Sequence, residues 1–210
     1  MSSTNRGYER HISDFYITPQ EPIKNFLNTF LSIESLDERS LILDPSAGGN
    51  GKYDMPYPAV LSNLGFKNIA TSDIRYDSNA GTHQDFLKSV HMLYLDLIIT
   101  NPPFNLALDF IKKALDDVKS GGFVVMLLRL NFFGSQGRHK FFQENMPKYC
   151  FIHSKRISFF PEDFTFKFFN KKKNEWESKF YAAGSTDSCE YAHFVWQKGY
   201  KENYCKTYVI

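Results

Sequence analysis

The chain has few cysteines and no long apolar segment. Its 3 cysteines, Cys150, Cys189 and Cys205, lack the spacing of metal ligands, so we expect free thiols and no bound metal. No apolar run approaches the ~20 residues of a membrane-spanning helix, and the first residues, MSSTNRGYERH, are polar, unlike a signal peptide. We therefore expect a cytoplasmic protein.

An excess of charge of one sign is also missing. The formal net charge is +2, so the whole molecule generates no strong field toward a charged partner. A local basic patch would be enough for a nucleic acid, which the composition neither requires nor excludes. Hydrophobic residues make up 42% of the 210 residues, which favours one domain with a substantial core.

Apolar strand segments alternate with amphipathic helical segments along the chain. This alternation predicts an α/β fold with a doubly wound, mostly parallel, seven-stranded sheet. No convincing helix separates the last two strands, so we expect them to form a terminal antiparallel strand pair. Strands are predicted at 40–44, 68–73, 81–87, 94–100, 123–130, 149–158 and 191–199. Helices are predicted after Pro22, from near Pro58, before a stop at Gly121 and Gly122, and before Pro147.

The predicted organisation is a flexible N-terminal arm at 1–13 followed by a single domain at 14–210. Residues 159–187 interrupt the final strand pair, and their phenylalanines alternate with polar residues around the turn-like sequence NKKKN. We expect a hairpin arm there. The lysines at its tip fit either a solvated turn or contacts to phosphates; they are Lys171, Lys172 and Lys173.

A glycine-rich turn, DPSAGGNG, follows the first strand and starts at Asp44. In an open α/β sheet, ligands bind beyond the strand ends, where glycines let backbone N–H groups approach closely. The second strand ends in Asp73, an acid placed to accept hydrogen bonds from a ribose diol. No Gly-Lys-Ser/Thr follows, and the G-x-G-x-x-G pattern is incomplete. The two segments therefore predict a nucleoside ligand that needs no phosphate cradle, although an ordinary turn would also favour glycine.

The fourth strand leads into Asn101, Pro102, Pro103 and Phe104. The Asn101 amide oxygen and the Pro102 carbonyl can accept hydrogen bonds from a substrate amine, and the prolines restrict both acceptors. Phe104 offers an aromatic face to a planar group. These residue types in this order indicate a site that holds a planar group bearing an NH₂.

These motifs resemble those of amino-directed S-adenosylmethionine-dependent methyltransferases, most closely small phage-type DNA adenine-N6 enzymes. NPPF resembles their catalytic motif, DPSAGG their first cofactor motif, and TSDI their acid after the second strand. Further similar segments are DFYITP at 14–19, HQDFL at 83–87, RISFF at 156–160 and STDSCEYAHFVWQKG at 185–199. The resemblance spans roughly 8–199.

The resemblance implies a Rossmann-like class I methyltransferase domain that uses S-adenosyl-L-methionine to methylate adenine N6 in double-stranded DNA. It also implies a bacterial or phage-infected host cell. The catalytic residues would be Asn101, Pro102, Pro103 and Phe104. The cofactor would be bound by Tyr16, Thr18, Pro19, Asp44, Pro45, Ser46, Ala47, Gly48, Asp73, Ile74, Asp85, Phe86 and Asn101.

The sequence departs from the family pattern at two places. Asn50 stands where many members have glycine, which affects only the detail of cofactor contacts. We expect no separate target-recognition domain within these 210 residues, so that only 159–187 could take that role. Enzymes that methylate RNA guanine N2 or protein glutamine N5 share similar motifs, so an RNA base amine or glutamine stays an alternative acceptor. The rival of a different class is a binding module that kept the fold without catalysis.

Several further residues have two interpretations. Arg129, near the end of the fifth strand, could contact DNA or form a local salt bridge. His91, His139 and His193 have no paired acid or metal spacing, which favours surface or structural roles.

Overall fold

An eight-stranded mixed sheet forms the centre of the chain in the computed structural model, which describes residues 17–90, 95–159, 165–170, 173–180 and 189–210. The strands are β1 (Leu41–Asp44), β2 (Asn68–Asp73), β3 (Thr82–His83), β4 (Leu95–Thr100), β5 (Val118–Arg129), β6 (Tyr149–Ile152), β7 (Thr165–Asn170), β8 (Glu175–Phe180), β9 (Tyr191–Gln197) and β10 (Lys206–Val209). The helices are α1 (Gln20–Ile33), α2 (Pro56–Asn63), α3 (Ala107–Asp117) and α4 (His139–Glu144).

The strand order across the sheet is β10-β6-β9-β5-β4-β1-β2-β3. Strands β3, β2, β1, β4 and β5 run parallel, whereas β9 pairs antiparallel with both β5 and β6. This confirms the doubly wound α/β fold and the terminal antiparallel pair. The strand order reverses between β1 and β4, so their carboxyl ends flank the crevice where such sheets bind ligands.

The sheet has one strand more than the seven predicted. The additional strand, β10, pairs parallel with β6 at the sheet edge. Its sequence, KTYV, is mostly exposed and lacks the apolar run that identifies a buried strand. The sequence pattern therefore gave no signal for it.

Apolar helix faces cover both sides of the sheet. On one side α1 buries Ile23, Phe26, Leu27 and Phe30 completely, in a cluster with α2. On the other side α3 and α4 pack on a second cluster that includes Phe110. On the first side, α1 begins at Gln20, before the start predicted after Pro22, and α2 begins at Pro56, close to the start predicted near Pro58.

The predicted stop of α3 at Gly121 and Gly122 is wrong. The helix ends at Asp117, and β5 begins at Val118, which is fully buried and pairs with Leu95 of β4. Burial of Val118 in the sheet thus ends the helix before the two glycines, which lie in the first part of β5.

A separate two-stranded sheet consists of β7 and β8, paired antiparallel from Thr165↔Phe180 to Asn170↔Glu175. This pairing is the one expected inside 159–187. Lys171, Lys172 and Phe164 lie outside the described residues, while Lys173 is exposed. Contact of this segment with DNA stays a prediction.

None of the helices among the described residues has the length and apolar character needed to span a bilayer.

Candidate active site at the carboxyl ends of the parallel strands

One cavity lies where the segments after β1, β2 and β4 converge. Residues of the glycine-rich turn, of the end of β2 and of the Asn-Pro-Pro-Phe segment line it together with the residues that precede α1. The lining residues are Ile17, Thr18, Ser46, Ala47, Gly48, Gly49, Asp54, Pro56, Tyr57, Asp73, Ile74, Arg75, Asn101, Pro102, Pro103 and Phe104. The structure thus brings together most of the residues that the sequence assigned to cofactor and catalysis.

Other predicted cofactor residues do not line this cavity. Phe86 is 2% exposed and packs against Phe110 in the core, with ring centroids 5.1 Å apart. Asp85 accepts a hydrogen bond from the Leu87 N–H at 3.1 Å and pairs with Lys88. Pro19, Asp44 and Pro45 are also absent from the lining, and Tyr16 lies outside the described residues.

The glycine-rich turn has a backbone that only glycine adopts readily. Gly48 and Gly49 have φ values of 67° and 69°, in the left-handed region. A Cβ on Gly49 would lie 2.9 Å from Met55 Cγ and 3.2 Å from the Tyr53 carbonyl oxygen. The turn therefore keeps its shape only with glycine at this position.

Asp73 holds the glycine-rich turn against the end of β2. Its Oδ2 accepts the Gly48 N–H at 2.9 Å, and its Oδ1 accepts the Arg75 N–H at 2.8 Å. The carboxylate is only 4% exposed. Asp73 consequently shapes the cavity wall, in addition to the ribose contact that the sequence suggests for it.

Arg75 is a site residue that the sequence analysis missed. Its guanidinium is buried, donates to the Gly49 carbonyl at 3.0 Å and lies 3.4 Å from Asp73 Oδ1 and 3.3 Å from Asp77 Oδ1. A buried charge needs such partners. Nothing in the local sequence IRYD shows that this arginine would fold back on a turn 26 positions away.

Asn101 has one end of its amide fixed and the other end available. Its Nδ2 donates to Thr18 Oγ1 at 3.0 Å, while its Oδ1 is buried and has no hydrogen-bond partner within the described part of the chain. In this orientation the Thr18 hydroxyl is the acceptor, which leaves the amide oxygen as the free end. A buried acceptor without a partner is costly unless a ligand supplies the donor, so this oxygen is suited to accept a substrate N–H.

Asp44 is a completely buried carboxyl group at the end of β1. Its pKa is raised to about 7, chiefly by burial, with the charge of Asp73 acting in the same direction and the hydrogen bond from the Ser46 N–H opposing it. Its Oδ2 has no hydrogen-bond partner among the described residues. A cationic ligand nearby would favour the ionised form of this carboxyl group.

A buried hydrogen-bonded chain runs from the cavity wall into the core. The Tyr57 hydroxyl lies 2.9 Å from His193 Nε2, and His193 Nδ1 lies 2.8 Å from His153 Nε2. Burial lowers the pKa of His153 to about 4, and burial together with His153 lowers the pKa of His193. His193 thus has the structural role expected from the sequence, but its partner Tyr57 lies 136 positions away and was missed.

Phe104 lines the cavity and also contacts Arg129 and Tyr191. The Arg129 guanidinium lies 5.4 Å from the Phe104 ring centroid, and the Tyr191 ring centroid lies 5.9 Å from it. Arg129 Nε donates to the Tyr191 hydroxyl at 3.4 Å, a long hydrogen bond. Arg129 therefore lies on an aromatic side chain of the site.

The charges around the cavity favour a cationic ligand over a phosphate. Asp54 and Asp73 line it and Asp44 is buried nearby, whereas Arg75 is already paired with acids. Ile74 is 61% exposed and offers an apolar surface at the cavity. Within the described ranges, no three His, Cys, Asp or Glu side chains are grouped to hold a metal ion.

No protein-family model and no curated protein sequence matches the chain. Several solved structures match its fold. A candidate class I S-adenosylmethionine-dependent methyltransferase from Listeria monocytogenes matches with a TM-score of 0.58 at 14% identity, over 92% of this chain and 65% of that protein. A candidate RNA methyltransferase from Pyrococcus horikoshii matches with a TM-score of 0.58 at 12% identity, over 93% of both chains.

A third match is the methyltransferase subunit of a type I restriction-modification system from Streptococcus thermophilus. Its TM-score is 0.57 at 11% identity, over 92% of this chain and 47% of the subunit. The chain thus spans less than two thirds of the Listeria and Streptococcus proteins. Likeness at these identities identifies the fold, which is that of the class I methyltransferases.

Proposed function

We propose that the protein transfers a methyl group from S-adenosyl-L-methionine to the N6 amine of adenine in double-stranded DNA. The observation that carries this proposal is the Asn101 amide, whose nitrogen is bonded to Thr18 while its buried oxygen has no partner. An amine that enters the cavity can donate to that oxygen. The class I methyltransferase fold supports the same reaction type.

The residues of the cavity fit the cofactor. The left-handed glycines allow close backbone approach, and the exposed Ile74 can pack against a nucleobase. Asp54 and Asp73 give the cavity a negative charge that suits a cation. The cofactor supplies a methyl group on a positively charged sulfur. The residues proposed to hold it in the cavity are Thr18, Ser46, Ala47, Gly48, Asp73, Ile74 and Asn101. Cofactor contacts by Tyr16, Pro19, Asp44, Pro45, Asp85 and Phe86 stay predictions from the sequence.

The acceptor amine is a weak nucleophile because its lone pair is delocalised into the ring. Asn101 Oδ1 and the Pro102 carbonyl would each accept one of its hydrogens and so favour a pyramidal nitrogen with a localised lone pair. Because Thr18 holds the Asn101 amide, this acceptor is positioned before the substrate binds. A methylated amine would be cationic and would lose its proton readily to water, so no strong general base is required, and alignment of the reacting groups can contribute ~7–11 kcal/mol.

A target adenine in duplex DNA must leave the base stack to reach this cavity, which costs a few kcal/mol. Stacking on an aromatic ring returns ~1–3 kcal/mol per base. Phe104 lines the cavity next to Asn101 and Pro102 and is the side chain suited to this contact. Lys171, Lys172 and Lys173 are proposed to contact DNA phosphates.

An RNA base amine is the second candidate acceptor, and a protein glutamine is the third. The Streptococcus subunit belongs to a restriction-modification system, which supports DNA. The Pyrococcus protein, matched over nearly its whole length, is described as a candidate RNA methyltransferase, which supports RNA. The sequence YITP at 16–19, upstream of the glycine-rich turn, favours the DNA class.

The proposal is tested by incubating the protein with methyl-tritiated S-adenosylmethionine and separate pools of unmethylated DNA, RNA and protein. We expect label in DNA, recovered as N6-methyladenine after nuclease digestion. Label confined to RNA or to protein would replace DNA with that acceptor, and no label in any pool from the wild-type protein would favour a non-catalytic binding module.

A further inference from the structure

Arg129 is the last residue of β5, and its guanidinium lies on the Phe104 ring at 5.4 Å from the centroid. This distance is within the range of cation–π interactions. Across the β5–β9 pair, Arg129 is directly opposite Tyr191, whose hydroxyl accepts from Arg129 Nε and whose ring also contacts Phe104. Phe104 is therefore held by two side chains from the adjoining strands.

Tyr191 is itself fixed by the core. It is 2% exposed, belongs to a buried cluster with Leu127 and Ile157, and packs edge-on against Phe159 at 4.8 Å. Arg129 therefore contacts, through a long hydrogen bond, a residue that packs in the core. Phe104 lines the cavity, whereas Arg129 and Tyr191 do not, so the Phe104 ring and neither of its two neighbours borders the ligand space.

From this geometry we infer that Arg129 is a positioning residue: it holds the Phe104 ring on which the acceptor base stacks, and it does not contact a phosphate. The inference rests on the proposed function. The guanidinium uses one face on the Phe104 ring and its Nε on the Tyr191 hydroxyl, and the residue is only partly exposed. A ring fixed before the base arrives loses less conformational freedom on binding, which strengthens capture of a planar base.

Replacing Arg129 with lysine or with alanine distinguishes a positioning role from a phosphate contact. Arg129→Lys keeps the positive charge that a phosphate contact needs, but lacks the planar guanidinium that stacks on Phe104. Arg129→Ala removes both properties. Arg138 provides a matched control, because its guanidinium lies 4.3 Å from the Phe132 centroid and bonds to the Phe132 carbonyl, and neither residue lines the cavity.

The experiment uses the full chain and a duplex in which 2-aminopurine replaces the target adenine, together with turnover at saturating DNA and the salt dependence of DNA binding. We expect Arg129→Lys and Arg129→Ala to lower both turnover and 2-aminopurine brightening several-fold to about tenfold, with an unchanged salt slope. Arg138→Lys should leave brightening at the wild-type level.

A different pattern would overturn the inference. If Arg129→Lys behaves as wild type while Arg129→Ala flattens the slope of log affinity against log salt by ~0.9, Arg129 is a phosphate contact. Equal losses in Arg129→Lys and Arg138→Lys would show a general effect on stability. If the wild-type protein methylates no DNA, both the proposed function and this inference are wrong. If the wild-type protein methylates DNA and Arg129→Ala has the same turnover and brightening, only this inference is wrong.

Discussion

Asn101 is the residue whose surroundings most directly determine the chemistry of the cavity. Replacing it with alanine should lower methyl transfer by on the order of 100-fold, as removal of one preorganised polar group does in other enzymes. Cofactor affinity should fall far less than turnover, because the proposed partner of Asn101 Oδ1 is the acceptor amine. Turnover at saturating DNA and calorimetric cofactor binding measure the two effects separately.

Thr18 supplies a second, milder test of the same arrangement. Thr18→Val keeps the side-chain shape but removes the acceptor for Asn101 Nδ2, which leaves the amide free to rotate. Loss of about 1 kcal/mol corresponds to a roughly fivefold lower rate. Thr29→Val is the matched control, since it removes a hydroxyl on α1 that bonds only within the helix. A Thr18 variant with full activity would contradict the role of this contact.

At the scale of structural elements, the glycine-rich turn after β1 depends on one backbone conformation. Gly49→Ala should lower the free energy of unfolding by about 1–3 kcal/mol, because alanine is strained at φ 69° and its Cβ would clash with Met55. Cofactor binding should weaken as well. Gly51→Ala is the control, since no atom lies within 4 Å of its Cβ position. Equal melting temperatures for the two variants would contradict this account.

We predict that the lysines between β7 and β8 contribute to the salt dependence of DNA affinity. Changing Lys171, Lys172 and Lys173 to alanine should flatten the slope of log affinity against log salt by up to about 2–3 units, with cofactor binding unaffected. Binding to all sequences should weaken similarly, because phosphate contacts carry no base specificity.

The matched control for this variant removes three exposed lysines from α1 and the β10 side of the molecule: Lys24, Lys201 and Lys206. It makes the same change in net charge. If the control flattens the salt slope as much as the variant does, the lysines between β7 and β8 act only through net charge and form a solvated turn.

The elements that the sequence predicted well are those with continuous apolar runs. The segments LILD and FVVMLLR are buried on both faces of the sheet, and this burial produces the patterns that identified them. The end of α3 was misplaced because the two glycines that follow it are typical helix stops, while burial of Val118 decided the boundary. β10 was missed because an exposed edge strand has no apolar pattern.

The candidate site was predictable only where a motif lies within one turn. The glycine-rich turn and the Asn-Pro-Pro-Phe segment were both identified in this way. The contact of Asn101 with Thr18 joins residues 83 positions apart, and that of Tyr57 with His193 joins residues 136 positions apart. Such pairs depend on the tertiary fold and leave no trace in a single sequence.

For the whole molecule, two buried groups predict opposite effects of pH on stability. The pKa of Asp44 is raised to about 7, so the stability from its neutral form is full below about pH 4 and is lost as pH rises through 7. The pKa of His153 is lowered to about 4, so its contribution is full above about pH 6.5 and is lost as pH falls through 4. Shifts of this size are worth on the order of 3–5 kcal/mol each.

His193, whose pKa burial also lowers, adds a contribution of the same sign as His153, so between about pH 4.5 and 6.5 two histidine contributions oppose one from Asp44 and the wild-type free energy of unfolding should rise with pH. Asp44→Asn should make it rise more steeply, since only the histidine contributions remain. His153→Gln should leave it nearly level, since one histidine contribution then opposes that of Asp44. Chemical denaturation at a series of pH values measures all three curves, and variants that keep the wild-type curve would contradict the assignment of these two groups.

The central claim is methyl transfer to adenine in DNA, and modified-base sequencing of DNA from cells that express the protein tests it most directly. Wild-type protein should produce N6-methyladenine at one defined sequence, and Asn101→Ala, expressed at the same level, should produce little or none. DNA without N6-methyladenine from cells that contain folded wild-type protein would contradict the account.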